Sequence, residues 1–549
     1  MKRIEFISGA AIALLLTLGM AGQAGAGALD AAKNIMRGQG AVIADGALID
    51  AVYPPLTIPG IPVPVPLSNL MVQTVPCLGN LDQPLCQNFA NTAVTYAGFL
   101  FPGRPTPVPG LPVPPLPTCT AAAPPAIPFP PGTPLPSPLC AGFQVALDEA
   151  VVLYGTVPPE GSYVGFETSF HERHKSNIPN YPNDVLPLNP AENPPPPVNA
   201  DRVVISSSVG DTENTLVLPS GPNPDVPGGL PVFAKIITGN AHVAALIGDA
   251  MVAAGIPESA IFVKQLPSTY ALTADEFADT YREILRMAQP LDNANLGAWL
   301  ASKPLDPFRV TVPGIGFIGY PEVVHTQRDT GVDQKDGTCN IADKWEKHVQ
   351  RKFGKPDQKI VMTPRDYDDE FCIETGTYCW GNNNDALYLN AMTKHEDAMA
   401  TFDLSGADSR VVIAGIDHVA SGWAEIWNWD IYDGQGGGKA FETFLFSDAQ
   451  ADDYGPDMDE FCAENPGQCN CGADLVDKLY WVQLRETCEP GDAHCRELCA
   501  GYEPGSSQEA ACLSEPSTRQ IMQRVYLSPT TGTGPSLTET RATRIFGFE

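Results

Sequence analysis

Three segments of the chain share one spacing: Cys372 to Cys379, Cys462 to Cys469 and Cys488 to Cys495 each read C-x6-C. A disulfide needs its two Cα atoms within about 7 Å, whereas seven residues of continuous α-helix advance about 10.5 Å. A bridged C-x6-C is therefore not one unbroken helix. The intervening residues fit turns: Glu374-Thr375-Gly376-Thr377, Glu464-Asn465-Pro466-Gly467 and Glu489-Pro490-Gly491-Asp492. In the chain-entropy account such short loops contribute roughly 2–3 kcal/mol each. They fix local turns more than they fix the global fold.

Bridging depends on the compartment, and the N-terminus speaks to that. Met1-Lys2-Arg3 precedes an apolar run around Ile12 to Leu18, then Ala24-Gly25-Ala26 and Ala26-Gly27-Ala28. A basic start, an apolar stretch and an A-x-A site form a secretory signal, with cleavage expected after Ala26 or Ala28. All 14 cysteines lie beyond it, and an even count in an exported chain argues for disulfides. The simplest local pairs are Cys77 with Cys86, Cys119 with Cys140, and the three C-x6-C pairs. Spacing leaves connectivity open, because Cys471, Cys488, Cys499 and Cys512 also lie close enough in sequence to cross-pair. No C-x-x-C-H motif for covalent haem occurs.

The formal charge is −31, from 33 basic and 64 acidic residues. Such a surface repels nucleic acid and anionic lipid and favours cations. No later stretch approaches the ~20 apolar residues of a membrane-spanning helix, so the chain is not expected to be an integral membrane protein. Secretion or a periplasmic location is expected.

Composition divides the chain. Residues 1–28 are the signal. Residues 29–142 form a low-charge arm; its 51–140 portion holds 24 of the 55 prolines, and proline disfavours helix there. Residues 143–318 are expected to be an α+β domain with a mixed sheet. In it a strand at Val232 to Ile237, a helix from His242 to Ala254 and a strand at Ile261 to Gln265 make a βαβ unit, with Asn240 and Gly255 as caps. Other expected strands are Val151 to Tyr154, Tyr163 to Phe170, Arg202 to Ser206, Thr215 to Leu218 and Phe308 to Val312. The capping box Thr273-x-x-Glu276 predicts a helix to about Ala288, and Asn293 to Ser302 a further one. Residues 319–440 form a mixed, strand-rich unit, with a helix from Asn340 to Phe353 and a tryptophan-rich strand at Trp423 to Tyr432. Residues 441–549 form an acidic, disulfide-stapled, partly helical region, with helices expected at Ala473 to Arg485 and His494 to Ala500.

Candidate chemistry is sparse. His171 and His174 flank Glu172 just past a strand and are candidates for metal binding or general base work. On a strand, positions three apart face opposite ways, so joint use needs a turn. Asp417-His418 follows the apolar run Val411 to Ala414, and strand-end loops often carry function. Asn382 through Asp385, and the stretch with Asp452, Asp453, Asp457, Asp459 and Glu460, supply the oxygen ligands that Ca²⁺ requires. Trp423, Trp427 and Trp429 present a flat surface of the kind that stacks on sugar rings; burial in a core is the alternative. Two functions stand: an extracellular or periplasmic protein that binds a glycan or envelope-protein partner, with no cofactor or with Ca²⁺, and a secreted hydrolase using His and carboxylate chemistry.

Overall fold

The computed structural model describes residues 27–45, 70–71, 94–99, 101–102, 139–140, 142–159, 161–179, 181, 201–290, 299, 305–323, 326, 339–364, 369–379, 382–392, 400–404, 408–433, 440–445, 455–489, 491–492, 494–497, 518–535 and 543–548. Cys77, Cys86, Cys119, Asp452, Asp453, most of the proline-rich arm and nearly all of the 293–302 segment lie outside these residues, as do residues 1–26 of the expected signal. For Cys140 only the backbone, in the short strand Leu139–Cys140, is described.

Among the described residues, three large sheets, a two-stranded pair of Phe101–Pro102 with Leu139–Cys140 and a few helices form an α+β architecture. A five-stranded sheet runs in the order Val42–Asp45, Leu305–Thr311, Glu149–Thr156, Val232–Thr238, Ile261–Gln265. Its last two strands pair in parallel, joined through the helix Ala241–Ala253. That helix starts where Asn240 Oδ1 accepts the His242 N–H at 3.0 Å, and it stops before Gly255 at φ +93°. The 232–238 strand is buried on both faces. One face meets the helices Ala28–Gly38 and Ala241–Ala253 through Ala32, Met36, Val243 and Ile247. The other meets a second sheet.

That six-stranded sheet holds Leu70–Met71, Val94–Phe99, Thr280–Pro290, Gly161–His174 and Arg202–Ser208 in order, with Glu213–Asn214 paired to the 161–174 strand. Phe166, Phe170, Phe233, Ile237 and Leu285 fill the space between the two sheets, with Phe166 and Phe233 ring centroids 4.7 Å apart. A ten-stranded sheet carries the C-terminal half. Across it lies the helix Ile341–Phe353, whose Trp345 is fully buried and donates Nε1–H to the Tyr480 carbonyl at 2.8 Å.

Several local expectations are corrected. The 273–288 segment is not a helix: its Thr280–Pro290 stretch is a strand. Asp275 rather than Glu276 takes the local bonds, accepting from the Phe277 N–H at 3.0 Å in a turn. The segment then alternates, with Tyr281, Glu283, Leu285 and Met287 on the inner face. Partner strands on both sides override its helical spacing. The 473–485 segment is a turn followed by the strand Leu479–Arg485, because Tyr480-Trp481-Val482 is buried on both faces between two partner strands. Around 494–500, Cys495–Glu497 is a short strand. Thr215 to Leu218 is a turn held by Asn214, whose carbonyl accepts from the Val217 and Leu218 N–H groups. Asn340 sits at φ +53° without a side-chain cap bond.

Four disulfides are present among the described residues. The three C-x6-C pairs are bridged, with Cα separations of 6.1, 5.6 and 5.7 Å. None is one unbroken helix, although two include helical residues. Cys462 and Cys469 sit on the helices Gly455–Glu464 and Pro466–Cys471, which break at Asn465. The Cys372 loop leaves the helix Asp369–Thr375 at Gly376, φ +71°. A Cβ there would lie 2.5 Å from an Ile178 methyl, so glycine serves both the turn and the close approach. The fourth bridge joins Cys339 to Cys471 across 132 residues. In the chain-entropy model a loop of that length is worth about 5 kcal/mol, against about 2 kcal/mol for the short ones. Replacing Cys339 and Cys471 by alanine is therefore expected to lower the melting midpoint clearly more than replacing Cys462 and Cys469. Paired thermal scans check this, and equal midpoints would count against it.

Candidate functional site

The long strand Gly161–His174 gathers most of the polar groups of interest, since its two faces meet different partners. Phe166, Thr168 and Phe170 point into the sandwich, and Tyr163, Glu167 and Ser169 point to the opposite face. All six are buried.

On the sandwich side a chain of charges spans the two sheets. Lys235, at the middle of the 232–238 strand, has no exposed surface. Its Nζ lies 2.7 Å from Glu283 Oε1 and 2.7 Å from Glu213 Oε2, and donates to the Phe166 carbonyl at 3.0 Å. Glu283 also accepts from Thr168 Oγ1 at 2.8 Å, and Lys264 reaches Glu213 at 3.3 Å. Burial works against the Lys235 ammonium, but the two carboxylates outweigh it and raise its pKa. Burial dominates at Glu283, whose pKa is raised despite Lys235. At Glu213 burial is overcome by the two ammonium groups, and the pKa is lowered.

The opposite face meets the Asn382–Asp385 turn of the ten-stranded sheet. Ser208 Oγ donates to the Asn382 carbonyl at 3.0 Å, and Thr212 Oγ1 to Asn383 Oδ1 at 3.0 Å. Asn383 Nδ2 donates to the Tyr163 hydroxyl at 2.9 Å, and Asn384 Nδ2 to the Gly210 carbonyl at 2.9 Å. Asp385 accepts from Asn214 Nδ2 at 2.9 Å and from the Tyr163 hydroxyl at 3.1 Å. Burial holds the Asp385 carboxyl well above the usual carboxylate range, against those two hydrogen bonds. Gly165 lets this packing close: a Cβ there would lie 2.5 Å from the Tyr163 hydroxyl. The oxygen-rich turn thus spends its side chains on protein partners.

At its far end the same strand carries His171 and His174, which lie within it rather than past it. His171 is buried; burial first, then the Arg282 and Arg202 guanidinium groups, push its pKa well below the ordinary value. A neutral imidazole so placed is a poor proton acceptor. His174 faces elsewhere, with Nδ1 accepting the Ser176 N–H at 3.2 Å to cap a short 3₁₀ turn. Arg173 between them forms a two-toothed pair with Asp279, at 3.2 and 2.9 Å, and donates to the Ile373 carbonyl at 3.0 Å. That last bond and the Cys379 N–H to Ile205 carbonyl bond, 2.7 Å, seat the stapled 372–379 loop on the six-stranded sheet. Cys372, Ile373 and Cys379 are part of the sandwich's apolar cluster.

Asp417 and His418 belong to the ten-stranded sheet, in the turn after the strand Arg410–Ile416. Asp417 Oδ1 accepts the Val419 and Ala420 N–H groups at 2.9 and 3.0 Å and the Trp427 Nε1–H at 2.9 Å. The His418 ring is fully buried, 5.8 Å from Trp423 and 5.7 Å from Trp427. The structure therefore sets His171 and His174 on the six-stranded sheet and Asp417 with His418 at the ten-stranded sheet, apart from one another. Trp427 and Trp429 have no exposed surface and pack on Tyr480, so their rings are core. Asp459 and Glu460 are exposed on the helix Gly455–Glu464, beside Asp457. Among the described residues no group of three or more His, Cys, Asp or Glu is placed to hold a metal ion.

The charged pairs do leave a signal in the sequence. Lys235 stands alone in Val-Phe-Ala-Lys-Ile-Ile-Thr, and a lone lysine in so apolar a strand must find buried acid.

No protein-family model and no curated protein matches the chain. Two solved structures align with it at 10% identity and a TM-score of 0.30. One is an uncharacterized protein from Burkholderia cenocepacia, covering 74% of this chain and 75% of its own. The other is the VPA0106 protein from Vibrio parahaemolyticus, covering 75% and 88%.

Replacing Lys235 by methionine strands Glu283 in the sandwich, while Glu213 keeps Lys264. Breaking a buried pair this way costs about 3–5 kcal/mol. The double change Lys235→Met with Glu283→Leu is expected to recover much of that loss. Urea unfolding of the two variants checks it; a double mutant no more stable than the single one would contradict the pairing.

Proposed function

We propose that this chain is an exported, disulfide-stabilised protein of the extracellular space or periplasm that acts by binding an envelope or glycan partner. Four disulfides are compatible with an extracellular protein, and no described helix is long and apolar enough to cross a membrane. The observation that carries the preference for binding is the commitment of the candidate catalytic groups to structure. Asp417 caps a turn and anchors Trp427, His418 lies inside an aromatic cluster, and His171 is buried, with the Arg282 and Arg202 charges further disfavouring its protonation. The hydrolase alternative requires a base with access to substrate, a role to which the buried His171 and His418 are poorly suited. With the Trp427 and Trp429 faces closed, a glycan or envelope-protein partner would bind elsewhere on the exterior.

Non-reduced peptide mass mapping of protein recovered from the exporting host tests this. The expected result is the four bridges named above, Cys339 with Cys471 included. Free thiols at these positions in freshly isolated material would remove the compartment argument.

The acidic stretch of Asp452, Asp453, Asp457, Asp459 and Glu460 is the segment proposed to take Ca²⁺. Calcium bound only to the folded state raises its melting point by mass action. A melting scan with Ca²⁺ and with EDTA is therefore expected to separate by several degrees, and superimposable curves would eliminate the ion.

A further inference from the structure

The fold distinguishes between the two A-x-A cleavage positions that the sequence leaves open. We infer that processing cuts the Ala26–Gly27 bond and that the α-ammonium freed on Gly27 pairs with the Asp225 carboxylate. This rests on the export reading above. In the cut, water adds to the Ala26 carbonyl and the C–N bond breaks. Ala26 keeps the carboxylate, and the nitrogen leaves as the Gly27 amine, which is protonated at neutral pH because a free α-amino group titrates at about 7.7–8.0.

Three contacts place the start of the mature chain. Asp225 Oδ1 accepts the Ala28 N–H at 2.8 Å. The Gly27 carbonyl accepts the Ala31 N–H at 3.0 Å, the first i to i+4 bond of the helix Ala28–Gly38. The Ala28 side chain is 7% exposed and belongs to the same apolar cluster as Ala32, Met36 and Ala150. A cut after Ala28 removes all three. A cut after Ala26 keeps every one of them.

The same geometry supplies the ammonium with a partner. A Cβ on Gly27 would lie 3.1 Å from Asp225 Oδ2. Nitrogen and Cβ of one residue are about 2.5 Å apart, so the Gly27 nitrogen lies within about 6 Å of that oxygen. A chain end closes such a gap by turning its terminal residue. Asp225 is exposed, in a turn where Asn223 Oδ1 accepts the Asp225 and Val226 N–H groups at 2.9 and 3.1 Å. The nearby Tyr154 phenol, pushed up to about 12 by burial and then by the Asp225 carboxylate, stays neutral beside it. Asp30 in the first turn adds negative charge on the same end of the helix.

The test uses the full chain with its own leader, expressed for export, with intact mass and N-terminal sequencing of the recovered protein. A mature chain beginning at Gly27 is expected. A chain beginning at Leu29 overturns the inference and leaves export standing. A chain still beginning at Met1 overturns both. The ion pair is read separately, by the acylation rate of the α-amine at neutral pH in the mature protein and in Asp225→Asn. Removing the carboxylate is expected to speed labelling several-fold, and equal rates would overturn the pairing.

Discussion

The Lys235 ammonium is a charge with no access to water, and the N-terminal sandwich is arranged around it. Moving an ion of that size out of water costs several kcal/mol even after the protein relaxes. Here two carboxylates and one carbonyl offset that cost, and they come from three strands of the facing sheet. The two sheets are thereby fixed in register. A slip of one residue in the 280–290 strand would turn Glu283 to the opposite face and leave the lysine with too little acid. Apolar packing of Phe166 on Phe233 supplies attraction between the sheets, but it tolerates small displacements better than a charge does.

A second consequence concerns the other face of the six-stranded sheet. Antiparallel sheets commonly leave one face to water, and Tyr163, Glu167 and Ser169 are residues of that kind. In this chain they are buried, and the Asn382–Asp385 turn meets that side of the sheet through Tyr163 and Ser208. The short disulfide of the 372–379 loop does more than hold a turn. It holds the piece whose Ile373 carbonyl accepts from Arg173 and whose Cys379 N–H donates to Ile205, so that a seam of buried hydrogen bonds joins the halves alongside the apolar contacts of Ile373 and Tyr163. Such a seam tolerates few substitutions, since each buried polar group left unpaired costs about 1–3 kcal/mol.

How legible this was in the sequence depended on whether the deciding partner was local. The 241–253 helix was readable because Asn240 and Gly255 carry its start and stop within the segment. The C-x6-C turns were readable because helix rise alone excludes a continuous helix. The 280–290 and 479–485 strands were not, since their apolar spacing suits a helix equally well and only neighbours distant in sequence settle the matter. The candidate site failed for a related reason. Asp417 and His418 are adjacent along the chain, but the turn that joins them sends the carboxylate to backbone N–H groups and the ring into a tryptophan cluster. Cys339 with Cys471 was out of reach because no spacing rule connects residues 132 apart.

The internal pairing also bears on the exterior. Eight buried cations among the described residues, Lys33, Arg173, Arg202, Lys235, Lys264, Arg286, Arg309 and Arg524, pair with eight carboxylates. These cancel, so the whole formal charge of −31 falls on the residues outside that set. The core consumes a quarter of the scarce basic residues, and what remains outside is more strongly acidic, residue for residue, than the composition suggests. Self-repulsion of such an exterior works against the compact state. Disulfides oppose that repulsion without adding charge, and screening by salt does not weaken them. A strongly acidic chain can therefore keep a highly charged surface, with covalent staples opposing the repulsion in the C-terminal part and buried ion pairs holding the N-terminal sandwich.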